Sequence, residues 1–247
     1  MQPRWHPTES ASAWLAAALA FVSRAEQEAL AARGEFHIVL AGGATPRIVY
    51  EALARETHEW ARWQVWFGDE RCLPPDEPER NSAMARAALL DRVASAGNAI
   101  SGNPPQPPFS KGGNVLVHAI PAELGAPAAA RAYAQELAGV GDFDLVLLGL
   151  GEDGHTASLF PGYGAGQEEA DALAVFNAPK PPPERVSLSA RRLSRARHVL
   201  FLVSGAGKRD ALRRWRAGER IPAAAIQPEA GVDVLLAPDL STPGVFP

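Results

Sequence analysis

Two short stretches, FDLVLLGL at 143–150 and HVLFLV at 198–203, are apolar almost without interruption. Segments of that length have no side to turn to water, so as strands they must be covered on both faces. Similar strand candidates lie at 36–40, 64–67, 115–120 and 232–237. Between them the apolar spacing turns helical, near residues 10–33, 46–55, 81–93, 127–138 and 208–216. Strands that alternate with helices in this way predict an α/β fold of three layers, a mostly parallel sheet flanked by helices. Ligands of such sheets sit beyond the carboxyl ends of the strands, so the chemistry is sought in the loops found there.

The bulk properties narrow the classes. At 247 residues with 47% hydrophobic content, the chain is read as a single domain, 1–247, able to build its own core. A formal charge of −4 argues against a broad nucleic-acid-binding surface. One cysteine, Cys72, forms no internal disulfide, which fits a reducing cytoplasm. The apolar stretch at 14–22 has neither a basic leader nor a cleavage pattern and reads as an amphipathic helix. No run approaches the roughly 20 apolar residues of a membrane span. Neither a nucleic acid nor a membrane is expected as a partner, and the chain is expected as a monomer or small homo-oligomer.

Two segments read as connections. Residues 97–113, GNAISGNPPQPPFSKGG, lack any periodicity and are expected as a flexible insertion. Residues 178–185, APKPPPER, are expected to run extended, because each proline restricts itself and its predecessor.

Three loops carry the chemistry. The first is Ala41-Gly-Gly-Ala-Thr-Pro46, between a strand and a helix. Gly42 and Gly43 let backbone amides approach a ligand, and Thr45 is placed to cap a helix beginning at Pro46. Such a helix start suits a phosphate, although the same residues also make a plain turn. The second is Gly68-Asp69-Glu70-Arg71, after the apolar VWF stretch. Arg71 is a candidate cation for a phosphate or an oxyanion, with Asp69 or Glu70 holding it or a substrate hydroxyl. A solvated turn is the plainer alternative, and Cys72 beside it reads as an inert packed thiol.

The third loop, 149–162, is the richest, GLGEDGHTASLFPG. His155 falls where a helix is expected to begin, two residues after Asp153. The helix start would disfavour an imidazolium and the carboxylate would favour it, a balance suited to a general base. His6, His37, His58, His118 and His198 have no comparable setting. Gly149-x-Gly151-x-x-Gly154 satisfies a dinucleotide fingerprint, but Glu152 and Asp153 would stand against a pyrophosphate, so nicotinamide binding is rejected. Late in the chain, Arg185 and Lys208 add cations; Gly205-Ala-Gly-Lys208 lacks the glycine spacing of a P-loop.

Taken in order, AGGATP, WFGDER, LLGLGEDGHTASLFPG, RVSLS and VSGAGK resemble the 6-phosphogluconolactonase family over about residues 11 to 237. The resemblance implies a modified Rossmann-like sheet without a nucleotide, within the glucosamine-6-phosphate deaminase/isomerase superfamily. It implies hydrolysis of 6-phospho-D-glucono-1,5-lactone in the oxidative pentose phosphate pathway, with no metal or cofactor. It places His155 as general base with Asp153 orienting it, and puts Arg71 and Asp69 in the active site. Gly42, Gly43 and Thr45 fall on the phosphate-facing loop, and Arg185 and Lys208 on its basic positions. Gly154, in the histidine loop, is a further expected substrate-binding position. Ala41 and Ala44 depart from the serines often found there, leaving phosphate binding to backbone amides and Thr45. Amino-sugar-phosphate deaminases of the superfamily carry an Asn-Glu pair soon after the histidine. Here Thr-Ala-Ser-Leu-Phe-Pro161 follows, which favours the lactonase over the deaminase/isomerase alternative. A non-catalytic sugar-phosphate-binding protein is the third reading.

Overall fold

The apolar runs become the inner strands of one sheet. A computed structural model describes residues 2–95, 100–102, 115–162 and 169–240. In chain order the elements are β1 (Arg4–Pro7), α1 (Ala11–Arg33), β2 (Phe36–Leu40), α2 (Ala44–Leu53), β3 (Trp63–Phe67) and β4 (Asp69–Arg71). Then α3 (Asn81–Ala85) passes through a π-helical turn, Arg86–Leu90, into α4 (Asp91–Ser95), followed by β5 (Ile100–Gly102), β6 (Val115–His118) and α5 (Ala126–Glu136). The rest comprises β7 (Phe143–Leu148), β8 (Ala172–Val175), β9 (Arg185–Leu188), α6 (Ala190–Ser194), β10 (Ala196–Val203), α7 (Arg209–Arg216) and β11 (Val232–Leu236).

Eight strands form the main sheet in the order β1-β11-β10-β7-β2-β3-β6-β5, every neighbouring pair parallel. Strand β7, the FDLVLLGL stretch, lies inside and is buried at every position. Its apolarity on both faces follows from that place. The two faces can be told apart in β3, because successive side chains point to opposite sides. Trp63 donates its indole N–H to Glu26 of α1 at 2.7 Å. Trp66 faces the other way, stacking on His118 at 3.7 Å, and His118 bonds Glu136 of α5. The register carries the Trp66 face through Val39, Val146 and Val199 towards Phe201, which meets Trp215 of α7 at 4.8 Å. Helices thus cover both faces, giving the three expected layers.

A second sheet escaped the sequence reading. Strands β4, β9 and β8 pair antiparallel in that order. It is joined to the main sheet through Gly68, whose N–H donates to Leu40 and whose carbonyl accepts from Leu188. The stretch at 178–185 is therefore the bend of the β8–β9 hairpin instead of an extended connection, closed by Ala178 N–H donating to the Pro183 carbonyl. Proline-fixed φ values are compatible with a bend as well as a line, and the pairing of Val175 with Arg185 decides between them. The expected insertion at 97–113 lies largely outside the described residues; within it, residues 100–102 form the edge strand β5. Among the described residues no helix is long and apolar enough to cross a membrane.

Glu26 anchors α1 to the sheet. Its carboxylate accepts from the Trp63 indole, from Glu59 N–H at 3.0 Å and from His58 Nδ1 at 2.5 Å. Burial works to raise its pKa, yet these bonds hold it below the ordinary carboxylate range. A depressed folded pKa means stability that is present above the unfolded value of about 4.3 and lost as pH falls through the folded one. Glu26→Leu strands buried donors and should cost about 2–4 kcal/mol in urea unfolding at pH 7. Glu26→Gln should flatten the loss of stability on acidification; a slope equal to that of the parent would refute the linkage.

Candidate active site

The loops leaving β2, β3 and β7 meet those before β9 and after β10 around a cavity of about 290 Å³. Gly42, Gly43, Asp69, Arg71, His155, Arg185 and Lys208 all line it. A larger hollow of about 780 Å³, beside Arg80 and Glu123, contains none of these side chains. Size alone does not locate the chemistry here; the convergence of ionisable groups does.

After β7 the chain enters turns, with an isolated bridge between Thr156 and Leu159, and no helix begins at His155. That corrects the sequence expectation, and its cause is local. Gly154 at φ +88° and Ala157 at φ +47° are left-handed, which a right-handed helix does not tolerate in sequence. The imidazole therefore does not sit at a helix start of its own loop. What acts on it is Asp153, whose Oδ1 lies 2.5 Å from His155 Nδ1 and also accepts the His155 backbone N–H at 3.1 Å. Partial burial opposes ionisation of Asp153, but these two bonds hold its carboxyl below the usual range. An ionised carboxylate only accepts, so Nδ1 is the ring nitrogen that donates to Asp153, leaving Nε2 on the other edge of the ring. The ring packs against Phe160 at 4.7 Å. Gly151 permits this seat: a Cβ there would stand 2.0 Å from His155 Nδ1.

The GDER residues divide their labour. Asp69 is buried, its Oδ1 accepting from Asn81 Nδ2 at 2.9 Å and its Oδ2 from Ser158 Oγ at 2.6 Å. Glu70 has no exposure and does not line the cavity, accepting instead the backbone N–H groups of Arg71, Asn81 and Ser82. It thereby supplies the start of α3 with the acceptor that its own N-cap residue, Arg80, lacks. Arg71 donates through Nη1 to the Glu79 carbonyl, and its Nε is buried without a hydrogen-bond partner among the described residues.

The glycine loop differs from expectation in detail. Helix α2 begins at Ala44 with Gly43 as N-cap, φ +104°, and no side chain caps it. Thr45 is inside the helix and bonds Ser204 Oγ at 2.7 Å instead. It does not line the cavity; it ties the α2 start to the turn that carries Lys208. The first-turn amides of α2 are thus free of side-chain competition for an anion. Gly154 is also outside the cavity wall, packed where a Cβ would meet Ile221 at 2.8 Å. Burial holds the Lys208 ammonium and the Arg185 guanidinium below their ordinary pKa values.

Comparison with known proteins places this geometry. The family model described as glucosamine-6-phosphate isomerases/6-phosphogluconolactonase matches residues 9–235. The chain belongs to this family. A Synechocystis protein named 6-phosphogluconolactonase is 38% identical over 89% of this chain and 89% of its own. One of the same name from Streptomyces coelicolor is 39% identical over 75% of this chain and 72% of its own. Among solved structures, the 6-phosphogluconolactonase of Leishmania guyanensis superposes with a TM-score of 0.82 at 25% identity, covering 100% of both chains. That of Thermotoga maritima gives 0.81 at 25% identity, covering 96% of this chain and 100% of the other.

Within this family member, four cavity-region residues went unnoticed in the sequence. Asn81 and Ser158 hold Asp69, Phe160 supports the imidazole, and Lys180 reaches the wall from the hairpin bend. Asn81 was legible only as a helix start and Lys180 only as part of a proline run. The two loop glycines make separable predictions. Gly151→Ala should displace the imidazole and lower kcat by about 10²-fold or more, with little change in Tm. Gly154→Ala, strained by φ and by Ile221, should instead cost about 1–3 kcal/mol in thermal unfolding. Equal effects of the two on Tm and on kcat would contradict these assignments.

Proposed function

We propose that this chain hydrolyses 6-phospho-D-glucono-1,5-lactone to 6-phospho-D-gluconate in the oxidative pentose phosphate pathway, with His155 as general base. The observation that carries the proposal is the Asp153–His155 contact at the wall of a cavity that also holds Arg71 and Lys208. His155 Nε2 takes a proton from water as the oxygen attacks C1 of the lactone. The carbonyl π electrons move to oxygen, and Arg71 faces the resulting oxyanion. Collapse breaks the C1–ring-oxygen bond, and the imidazolium returns its proton to the departing oxygen. Asp153 orients the ring and stabilises the imidazolium.

The substrate is placed by its polar groups. The Gly42 and Gly43 backbone and the α2 first turn receive the phosphate with Lys208, while Arg185 adds positive charge to the same wall. Asp69, with both oxygens already accepting, keeps lone pairs for a sugar hydroxyl. Thr45 and Gly154 support the loops that make these contacts. The names of the relatives described above agree with this reaction. The unit is a single domain, 1–247. It acts in the cytoplasm as a monomer or small homo-oligomer without nucleic acid.

His155→Ala should lower turnover of the phosphorylated lactone by about 10²–10⁴-fold at an unchanged Tm. Unaltered turnover would remove His155 from the reaction. Ammonia release from glucosamine 6-phosphate by the parent protein would replace the lactonase reading with the deaminase one.

A further inference from the structure

Arg185 is buried at the cavity wall, yet its hydrogen bonds run to its own hairpin bend. Its Nε donates to the Pro182 carbonyl at 3.1 Å, and its Nη2 donates to the carbonyls of Lys180 at 2.8 Å and Pro181 at 3.1 Å. The guanidinium also lies over the Phe160 ring, 5.6 Å from the centroid. Three of its five N–H donors are committed to these backbone oxygens, which ties the guanidinium to the bend. What it does is fix the bend Lys180-Pro-Pro-Pro183, whose prolines already restrict the chain.

The bend ends at the cavity, which Lys180 and Lys208 both line. Among the described residues neither ammonium has an ion pair or a hydrogen bond. Burial, and secondarily the charge of Lys180, lower the pKa of Lys208 against the opposing pull of Glu152 and Asp153. Lys180 and Lys208 repel each other across the cavity lining they share, and a ligand with two negative charges relieves both. A sugar phosphate monoester carries about −1.5 to −2 at neutral pH, which matches two ammonium groups better than one.

We propose that Lys180 is a specificity-determining residue, forming with Lys208 a two-ammonium seat for the phosphate, and that Arg185 is a positioning residue that holds Lys180 there. The inference rests on the lactonase reading above for the identity of the substrate. The loop cations then divide by role. Lys180 and Lys208 read the phosphate, whereas Arg71 remains for the reacting end.

Lys180→Met tests it on two substrates and one ligand. Expected is a fall of about tenfold or more in kcat/KM on the phosphorylated lactone, mostly through KM, against about threefold or less on unphosphorylated gluconolactone. The calorimetric Kd of inorganic phosphate should rise about fivefold or more, and Lys180→Arg should recover most of both losses. Equal losses on the two lactones, or an unshifted phosphate Kd, would overturn the role of Lys180. Parent protein that turns over neither lactone would overturn the lactonase reading alone, because the phosphate titration of parent and variant still decides whether Lys180 seats the anion.

Discussion

The Asp69 carboxylate accepts from Ser158 at 2.6 Å and from Asn81 at 2.9 Å, and through them it ties β4 to the histidine loop and to the start of α3. Ser158 belongs to the histidine loop, Asn81 to the start of α3, and Asp69 to β4. Gly42 closes the circuit, since a Cβ there would fall 1.9 Å from Asn81 Oδ1. The glycine loop can therefore approach only because it lacks a side chain at that point. A buried carboxylate is costly unless its lone pairs are used, and here the donors that satisfy it are also the ties between loops. Its cost and its structural role are the same set of bonds. A water-exposed acid would bind those loops far less firmly, because solvent would compete for each lone pair.

With the loops so fixed, charge is sorted across the cavity. The acids of the third loop lie by the imidazole and by Lys208, while Arg71 and Arg185 lie nearer Asp69, whose charge partly offsets the burial of Arg185. None of the site cations Arg71, Arg185 and Lys208 forms an ion pair with a carboxylate among the described residues. A preorganised, unpaired cation is more useful to a developing anion than one that must first leave a partner. The imidazole differs, since it needs its carboxylate to fix the tautomer. One carboxylate contact at Nδ1 and none at Nε2 is the arrangement a base requires.

How far the sequence foretold this depends on where each signal resides. Strand β7 and its neighbours were legible because burial on both faces writes itself into a continuous apolar run. His155, Asp153 and the cations were legible as chemically loaded residues in loops after strands. The antiparallel sheet was not, because β4 and β9 are three and four residues long and pair across more than a hundred positions. Thr45 was given a cap that Gly43 provides, since a capping residue and a helical residue two places on look alike in a short peptide. Edge strand β1 hid in Arg-Trp-His-Pro, held by Asp233, which accepts from Arg4 and bonds His6. Partners separated by over two hundred residues leave no local pattern.

The dinucleotide-like spacing in the third loop shows why a motif needs its surroundings. In a nucleotide site the three glycines serve a tight turn, a close pyrophosphate and a helix packed on its strand. Here Gly151 makes room for the imidazole, and Gly154 makes room for Ile221 while adopting a left-handed φ. The Gly149 carbonyl accepts from Thr156 Oγ1 at 2.8 Å, holding the loop back on itself. Since no helix follows, no row of first-turn amides faces a pyrophosphate, whatever the charge of Glu152 and Asp153. Charge repulsion was sufficient reason to reject the nucleotide from sequence, but backbone geometry is the stronger one. The glycines are spaced for an imidazole that lies close to its own loop, and the helix start without a side-chain cap is found elsewhere, at α2.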